Sequence, residues 1–253
     1  MLKKIGMLVA VFLLVATPTV YSDGLEGAWS LEGYEFDNKD VPVSGVMIFA
    51  DDHFAMVYKM DLDGRSGRGH GGKYSLEGDE ITYTIPWWVE HVAGKSQVMK
   101  DEVEAKGRVE VLGDLLVIRF ASGSVQKLKR LTSGDAGDLA GAWLMDSYES
   151  RAKTGPTSGM MMFAGDSFTL TYTMKPEGGK DGKAHAGTYE RDGGAMTLSV
   201  AWSMQVVEGE GSVDEGSSSR KTKVTVAGDS LTVDLGGGAV QKFHRAGTGG
   251  ASR

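Results

Sequence analysis

The side chains equipped for chemistry are few, and most come in pairs. The histidines are His53, His70, His91, His185 and His244. Only His70 and His185 hold matching places in a repeated text, each after a glycine-rich run. No two have metal-ligand spacing, and the chain has no cysteine, so no metal or haem site is predicted and the histidines read as solvated rim groups. His91, beside Trp87 and Trp88, is the best placed of them for a pocket rim. Glu90 and His91 have the types for an acid/base pair, but neighbours on a strand point to opposite faces. Neither a Gly-x-Ser-x-Gly elbow nor a His-Glu-x-x-His pattern occurs. Catalysis therefore has little support; no catalytic residue, cofactor or metal is assigned.

What remains is binding and closure. Tyr58, Met60, Tyr83 and Trp87 are candidates to line one interior, and Met162, Tyr172, Met174 and Trp202 another. Gln126 and Gln241, inward at the same place in each repeat, would offer a polar contact to a head group, because a dry glutamine needs partners. Such linings suit an apolar pocket with a few orienting groups. They equally suit a filled core. A second pairing is structural. Gln126, Leu128 and Arg130 share a face of the last strand of the first repeat. In a closed barrel that strand adjoins the first, so Trp29 would stack on Arg130 and Trp143 on Arg245 as cation–π pairs.

These residues are positioned by a duplication. Leu25-Glu26-Gly27-Ala28-Trp29 returns as Leu139-Ala140-Gly141-Ala142-Trp143, 114 positions on. Tyr58 returns as Tyr172; after a one-residue insertion Trp87 returns as Trp202, Gln126 as Gln241 and Arg130 as Arg245. Chance does not hold that register over a hundred residues. Expected domains are residues 23–131 and 139–247, joined by a short polar linker, 132–138, which makes them close neighbours with some relative freedom.

Within each repeat the elements read as strands. Phe168, Leu170, Tyr172 and Met174 alternate with threonines expected to face water. Ile81, Tyr83, Ile85 and Trp87 alternate with Thr82 and Thr84, and Pro86 implies an edge, bend or bulge. Residues 61–72 and 208–219 read as glycine-rich loops, the second a mobile one. About eight antiparallel strands per repeat, with no amphipathic helix, predict an all-β fold of two tandem up-and-down barrels. A two-sheet sandwich is the alternative.

The Gly-x-Trp openings at Gly27-Ala28-Trp29 and Gly141-Ala142-Trp143, with Arg130 and Arg245 on the closing strands, resemble the lipocalin and calycin barrels. The repeats are short and lack a C-terminal helix, so they look closer to compact bacterial lipocalin-like domains. The resemblance implies apolar ligand binding inside the barrel, with no defined reaction.

The formal charge of −7 disfavours a nucleic-acid partner. Residues 1–22 carry Lys3 and Lys4 before an apolar run from Met7 to Ala16, broken by Pro18, and read as a secretory signal peptide. That run is short for a membrane span. Residues 248–253 read as a frayed tail. The expectation is a periplasmic or secreted binding protein for a small hydrophobic molecule, such as a fatty acid or other lipid. The competing expectation is an envelope structural or protein-interaction module with packed barrels.

Overall fold

The computed structural model describes residues 24–61, 66–99, 101–131, 134–150, 154–155, 157–174 and 181–247. The signal-peptide reading of 1–22 and the tail reading of 248–253 lie outside them. The first repeat comprises β1 Gly27–Phe36, β2 Lys39–Val41, β3 Val43–Ala50, β4 His53–Met60, β5 Ser66–Glu77, β6 Glu80–Val92, β7 Lys95–Met99, β8 Val103–Leu112, β9 Leu115–Phe120 and β10 Val125–Arg130. The second comprises β11 Gly141–Glu149, β12 Thr154–Gly155, β13 Thr157–Ala164, β14 Ser167–Met174, β15 Asp181–Asp192, β16 Ala195–Val207, β17 Glu210–Ala227, β18 Ser230–Gly236 and β19 Ala239–Arg245.

Each repeat closes on itself. In the first, β1-β3-β4-β5-β6-β8-β9-β10 form an antiparallel ring sealed by β10 on β1. In the second, β11 and β13 to β19 form the same ring, sealed by β19 on β11. These are two tandem eight-stranded up-and-down barrels of the general calycin or lipocalin-like architecture. Short β2, β7 and β12 lie off the rings.

Two supposed loops are strands. The run 66–72 belongs to β5, and 210–219 belongs to the 18-residue β17. Their glycine content suggested turns, but it serves a different purpose. Gly67, Gly69 and Gly71 sit on the outward face of β5, against Val213, Ala184 and Met160 of the other barrel. A Cβ on Gly69 would collide with the Ala184 methyl, and one on Gly182 would lie 2.5 Å from Val89 Cγ2. The glycines let two sheets approach closely.

That approach creates a third core between the two barrel interiors. Val46, Ile48, Ala55, Val57, Trp87 and Val89 of the first barrel pack there with Ala142, Met160, Met162, Ala184, Met204 and Val206 of the second. Strand β4 is consequently apolar on both faces: Phe54, Met56, Tyr58 and Met60 turn inward while Ala55 and Val57 turn to the other barrel. On β14 the outward Thr169 and Thr171, expected in water, are fully buried. The contact has an approximate two-fold character, because Ala28 and Ala142, Val46 and Met160, Ile48 and Met162, and Val89 and Met204 are repeat equivalents. Trp202 Nε1 donates to Ser44 Oγ at 3.0 Å, and the Ala142 amide donates to Asp51 Oδ2 at 3.1 Å, both across the barrels. A continuous apolar core leaves little room for the freedom expected of a linker.

A bulge at one place in both repeats changes which side chains face inward. Between Gly71/Trp87 and Lys73/Thr84, β6 carries one residue more than β5; between Ala186/Trp202 and Gly187/Val200, β16 carries one more than β15. An extra residue reverses the alternation. Ile81, Tyr83 and Ile85 face the first barrel's interior, but Trp87 faces out and Trp88 faces in. Pro86, which has no N–H to leave unpaired, sits in the bulge. Gly72 and Gly187 face it, where a Cβ would strike the Thr84 and Ser199 carbonyl oxygens.

Candidate functional site

One end of each barrel is plugged. Trp29 is fully buried, and its Nε1 donates to the Leu25 carbonyl at 2.7 Å. Arg130 lies over the indole with Cζ 4.0 Å from the ring centroid and donates to the carbonyls of Glu26 at 2.8 Å and Gly24 at 2.6 Å. The second barrel repeats this. Trp143 Nε1 donates to Leu139 O at 2.8 Å, Arg245 Cζ lies 4.2 Å from the ring, and its guanidinium donates to Ala140 O at 2.6 Å and Asp138 O at 2.8 Å. The planar cation satisfies carbonyls of the incoming chain while covering an apolar ring. The plug is structural in geometry.

The opposite ends differ. Tyr34 is paired with Gln126, five residues along β1 from Trp29, or roughly 17 Å at strand rise. There the first barrel holds a cavity of 280 Å³, with Tyr34, Tyr58, Arg68, His70, Glu90 and Gln126 among its polar walls. Ile85, Trp88, Ala105 and Phe120 supply apolar surface, and the cavity reaches solvent at exposed Ser122. The second barrel holds a cavity of 200 Å³ at the equivalent end, where Tyr148, Tyr172, Lys183, His185, Arg220 and Gln241 form polar walls. Phe168, Leu170, Leu198, Val200 and Leu235 complete it. At about 30 Å³ per water, these spaces hold roughly seven to nine waters each.

The polar walls are duplicated with the fold: Tyr34 with Tyr148, Tyr58 with Tyr172, His70 with His185, Gln126 with Gln241, and the cation Arg68 with Lys183. Strand alternation makes this possible, since Arg68 and His70 are the inward partners of outward Gly67, Gly69 and Gly71. Tyr58 and His70 meet edge to face at 6.1 Å, and Tyr148 stacks on Tyr172 at 5.9 Å. Gln126 Oε1 and His185 Nδ1 are buried without a hydrogen-bond partner. Arg68 Nε lies 2.8 Å from Glu90 Oε2, and Gln97 Nε2 donates to Glu90 Oε1.

Burial dominates the electrostatics. It pushes the His70 imidazole down to about 4, with the Arg68 charge adding to the effect. His185 falls to about 4 through burial first, then Lys183 and Arg220. The Tyr58 and Tyr172 phenols are raised by burial. At neutral pH His70, His185, Tyr58 and Tyr172 are therefore uncharged hydrogen-bonding groups.

Of the candidates read from sequence, Tyr58 and Gln126 line the first cavity, and Tyr172 and Gln241 the second. Met60, Tyr83 and Met174 lie in the interior cores beside the cavities. Trp87, Met162 and Trp202 do not face an interior. They pack between the barrels, the tryptophans because of the bulges and Met162 because Met161 takes the inward place on β13. His70 and His185 are mid-strand interior residues and not solvated rim groups. His91 accepts or donates at Nδ1 to Ser96 Oγ at 2.8 Å. Missed from sequence were Tyr34, Tyr148, Arg68, Lys183 and Trp88. The first two were visible as an equivalent pair in the repeat; Arg68 was hidden by the loop reading of 61–72, with Lys183 its copy in the second repeat, and Trp88 by the bulge.

A larger cleft of 480 Å³ lies over the second plug, walled by Gly134 to Asp138, Gly165, Asp166, Tyr189, Arg191 and Gly193. Arg191 is paired there with Asp138, which also anchors Arg245 through its carbonyl, while Asp135 accepts the Gly137 amide and Asp166 the Ser167 hydroxyl. Among the described residues no group of three or more potential ligands gathers as a metal site. No helix among them is long and apolar enough to cross a membrane.

No family model matches the chain, and no curated protein matches it. Among solved structures, the crystal structure of BamB from Moraxella catarrhalis aligns over 95% of this chain and 99% of that one, at 10% identity and a TM-score of 0.13. A score that low carries no argument about fold or function.

Proposed function

We propose that the protein is an exported binding protein that holds a small amphipathic molecule in the unplugged end of one or both barrels. Its main support is the repetition of an inward polar set, Tyr-Tyr-His-Gln plus a cation, around a cavity in each barrel. A barrel that serves only as packed structure has no need of such a set, since buried polar groups without partners are costly. Here they surround space that a ligand or water can fill. Aromatic and aliphatic walls beside them match a ligand with one polar end and one apolar end. The cavity sizes favour a short molecule, or one whose tail leaves through the mouth, over a fully enclosed long-chain lipid. The export element rests on Lys3, Lys4 and the apolar run that follows them.

A packed protein-interaction module would present an exposed apolar patch to its partner. The outward apolar faces of the two barrels instead cover each other in the shared core, and Phe36, Leu112 and Leu115 are the exposed large hydrophobics among the described residues.

Native mass spectrometry of protein purified gently from its own host tests the proposal. A stoichiometric small molecule, released on denaturation and identifiable after extraction, is expected. A clean apo mass, together with no uptake of a neutral hydrophobic probe, would overturn it.

A further inference from the structure

We infer that the two cavities have diverged in the charge they accept, and that the second barrel's cavity takes an anionic head group such as a carboxylate. This deepens the proposed binding function and rests on it. Strand register fixes which residues correspond. Arg68 pairs with Glu90 across β5 and β6, and Lys183 pairs with Gln205 across β15 and β16. Tyr83 pairs with Ala105, and Leu198 pairs with Arg220. Between the repeats, therefore, an acid has become an amide and an alanine has become an arginine.

In the first barrel the cation is neutralised in place, with Arg68 Nε 2.8 Å from Glu90 Oε2. A ligand carboxylate there meets Glu90 as well as Arg68. The second cavity has Lys183 and Arg220 in its walls and no carboxylate among its described lining residues. Among the described residues, Asp181 is an inward acid at that end; it is buried and accepts the Glu208 amide at 2.9 Å. Relative to the first cavity, the described residues of the second barrel gain a cation in the cavity wall at Arg220 and carry the amide Gln205 in place of the acid Glu90. His185 is held neutral beside these cations. Arg220, exposed and anchored to Leu235 O at 2.7 Å, sits where a head group arriving from solvent would meet it. Charge-assisted hydrogen bonds to a carboxylate, further supported by Tyr172 and Gln241, favour the anion over the corresponding alcohol.

The test is a titration of the full chain with octanoate and, separately, 1-octanol, followed by site-resolved NMR. Octanoate is expected to perturb the second cavity at concentrations about tenfold below those needed at the first, the order expected for one charge-assisted bond. That preference should shrink in high salt. Octanol should show no such bias. Arg220→Ala, which installs the first barrel's residue, should lower the octanoate-to-octanol affinity ratio at the second cavity toward that of the first. Glu90→Gln should raise octanoate affinity at the first cavity. Octanol binding with no octanoate preference, or a preference indifferent to both variants, overturns the charge assignment and leaves the binding function standing. Failure of both ligands to perturb either cavity overturns the binding function and the charge assignment with it.

Discussion

At the scale of single residues, the plug and the buried histidines carry the clearest consequences. Arg130 makes two bonds to carbonyls and covers Trp29, so its loss leaves an uncovered ring and two unsatisfied oxygens. Arg130→Ala should cost about 2 kcal/mol in urea unfolding, from the cation–π contact and charged hydrogen bonds together. Arg130→Lys should recover little of that, because an ammonium cannot both stack flat and reach two carbonyls. Equal losses at Arg245 are expected from its matching geometry. His70 and His185 act through pH. Their folded values near 4 lie below the unfolded value near 6.5, so between those limits the unfolded chain binds more protons than the folded one. Stability should therefore fall as pH drops from about 6.5 to 4 and level off below. Replacing both histidines by glutamine should flatten that stretch of the urea midpoint against pH; an unchanged slope would assign it to carboxylates.

At the scale of elements, the bulges on β6 and β16 decide what the aromatic residues do. Trp88 lines the first cavity, and Trp87 packs between the barrels. Trp88→Ala should weaken ligand uptake with a modest effect on stability, and Trp87→Ala should cost roughly 3 kcal/mol or more with uptake at each cavity reduced far less. Measuring both quantities on both variants separates the roles, and a reversed pattern would sink the assignment. The same bulges mark the limit of what sequence can show. Alternation from Ile81 to Ile85 was readable, and Pro86 announced an irregularity, but neither states how many residues the partner strand has opposite it. In the second repeat Ala201 gives no warning at all. Glycine misled for a related reason. Composition cannot distinguish a glycine needed for a turn from one needed because another sheet lies against the strand, and Gly67, Gly69 and Gly71 are of the second kind. The repeat itself, the strand count and the closing of first strand on last were legible because they depend on local periodicity and on register between two copies. The inward Arg68 was not, since it lies on the strand read as a loop.

At the scale of the whole molecule, the shared core makes the duplication more than two independent barrels in series. The residues joining them come from equivalent faces of the two repeats, and the core they form is continuous from Val46 and Val57 to Met160 and Met204. Separating the barrels would expose that surface to water while leaving both interiors packed, so the half-unfolded state loses interface burial without gaining the full chain entropy of unfolding. The two barrels should therefore unfold in one transition, with near-UV circular dichroism, tryptophan fluorescence and calorimetry giving coincident midpoints. Gly69→Val tests the cause. Its side chain would drive into Ala184 across the interface while facing away from both cavities. The variant should split the transition in two, or lower its midpoint with reduced cooperativity, while neutral-probe uptake persists in whatever barrel remains folded. Gly194→Ala, where a Cβ would meet only the Val224 carbonyl at 3.7 Å, should leave the single transition intact. Two well-resolved transitions in the unaltered protein would mean that the apolar contact is too weak to couple the barrels. The third core would then be a docking surface and not part of one folding unit.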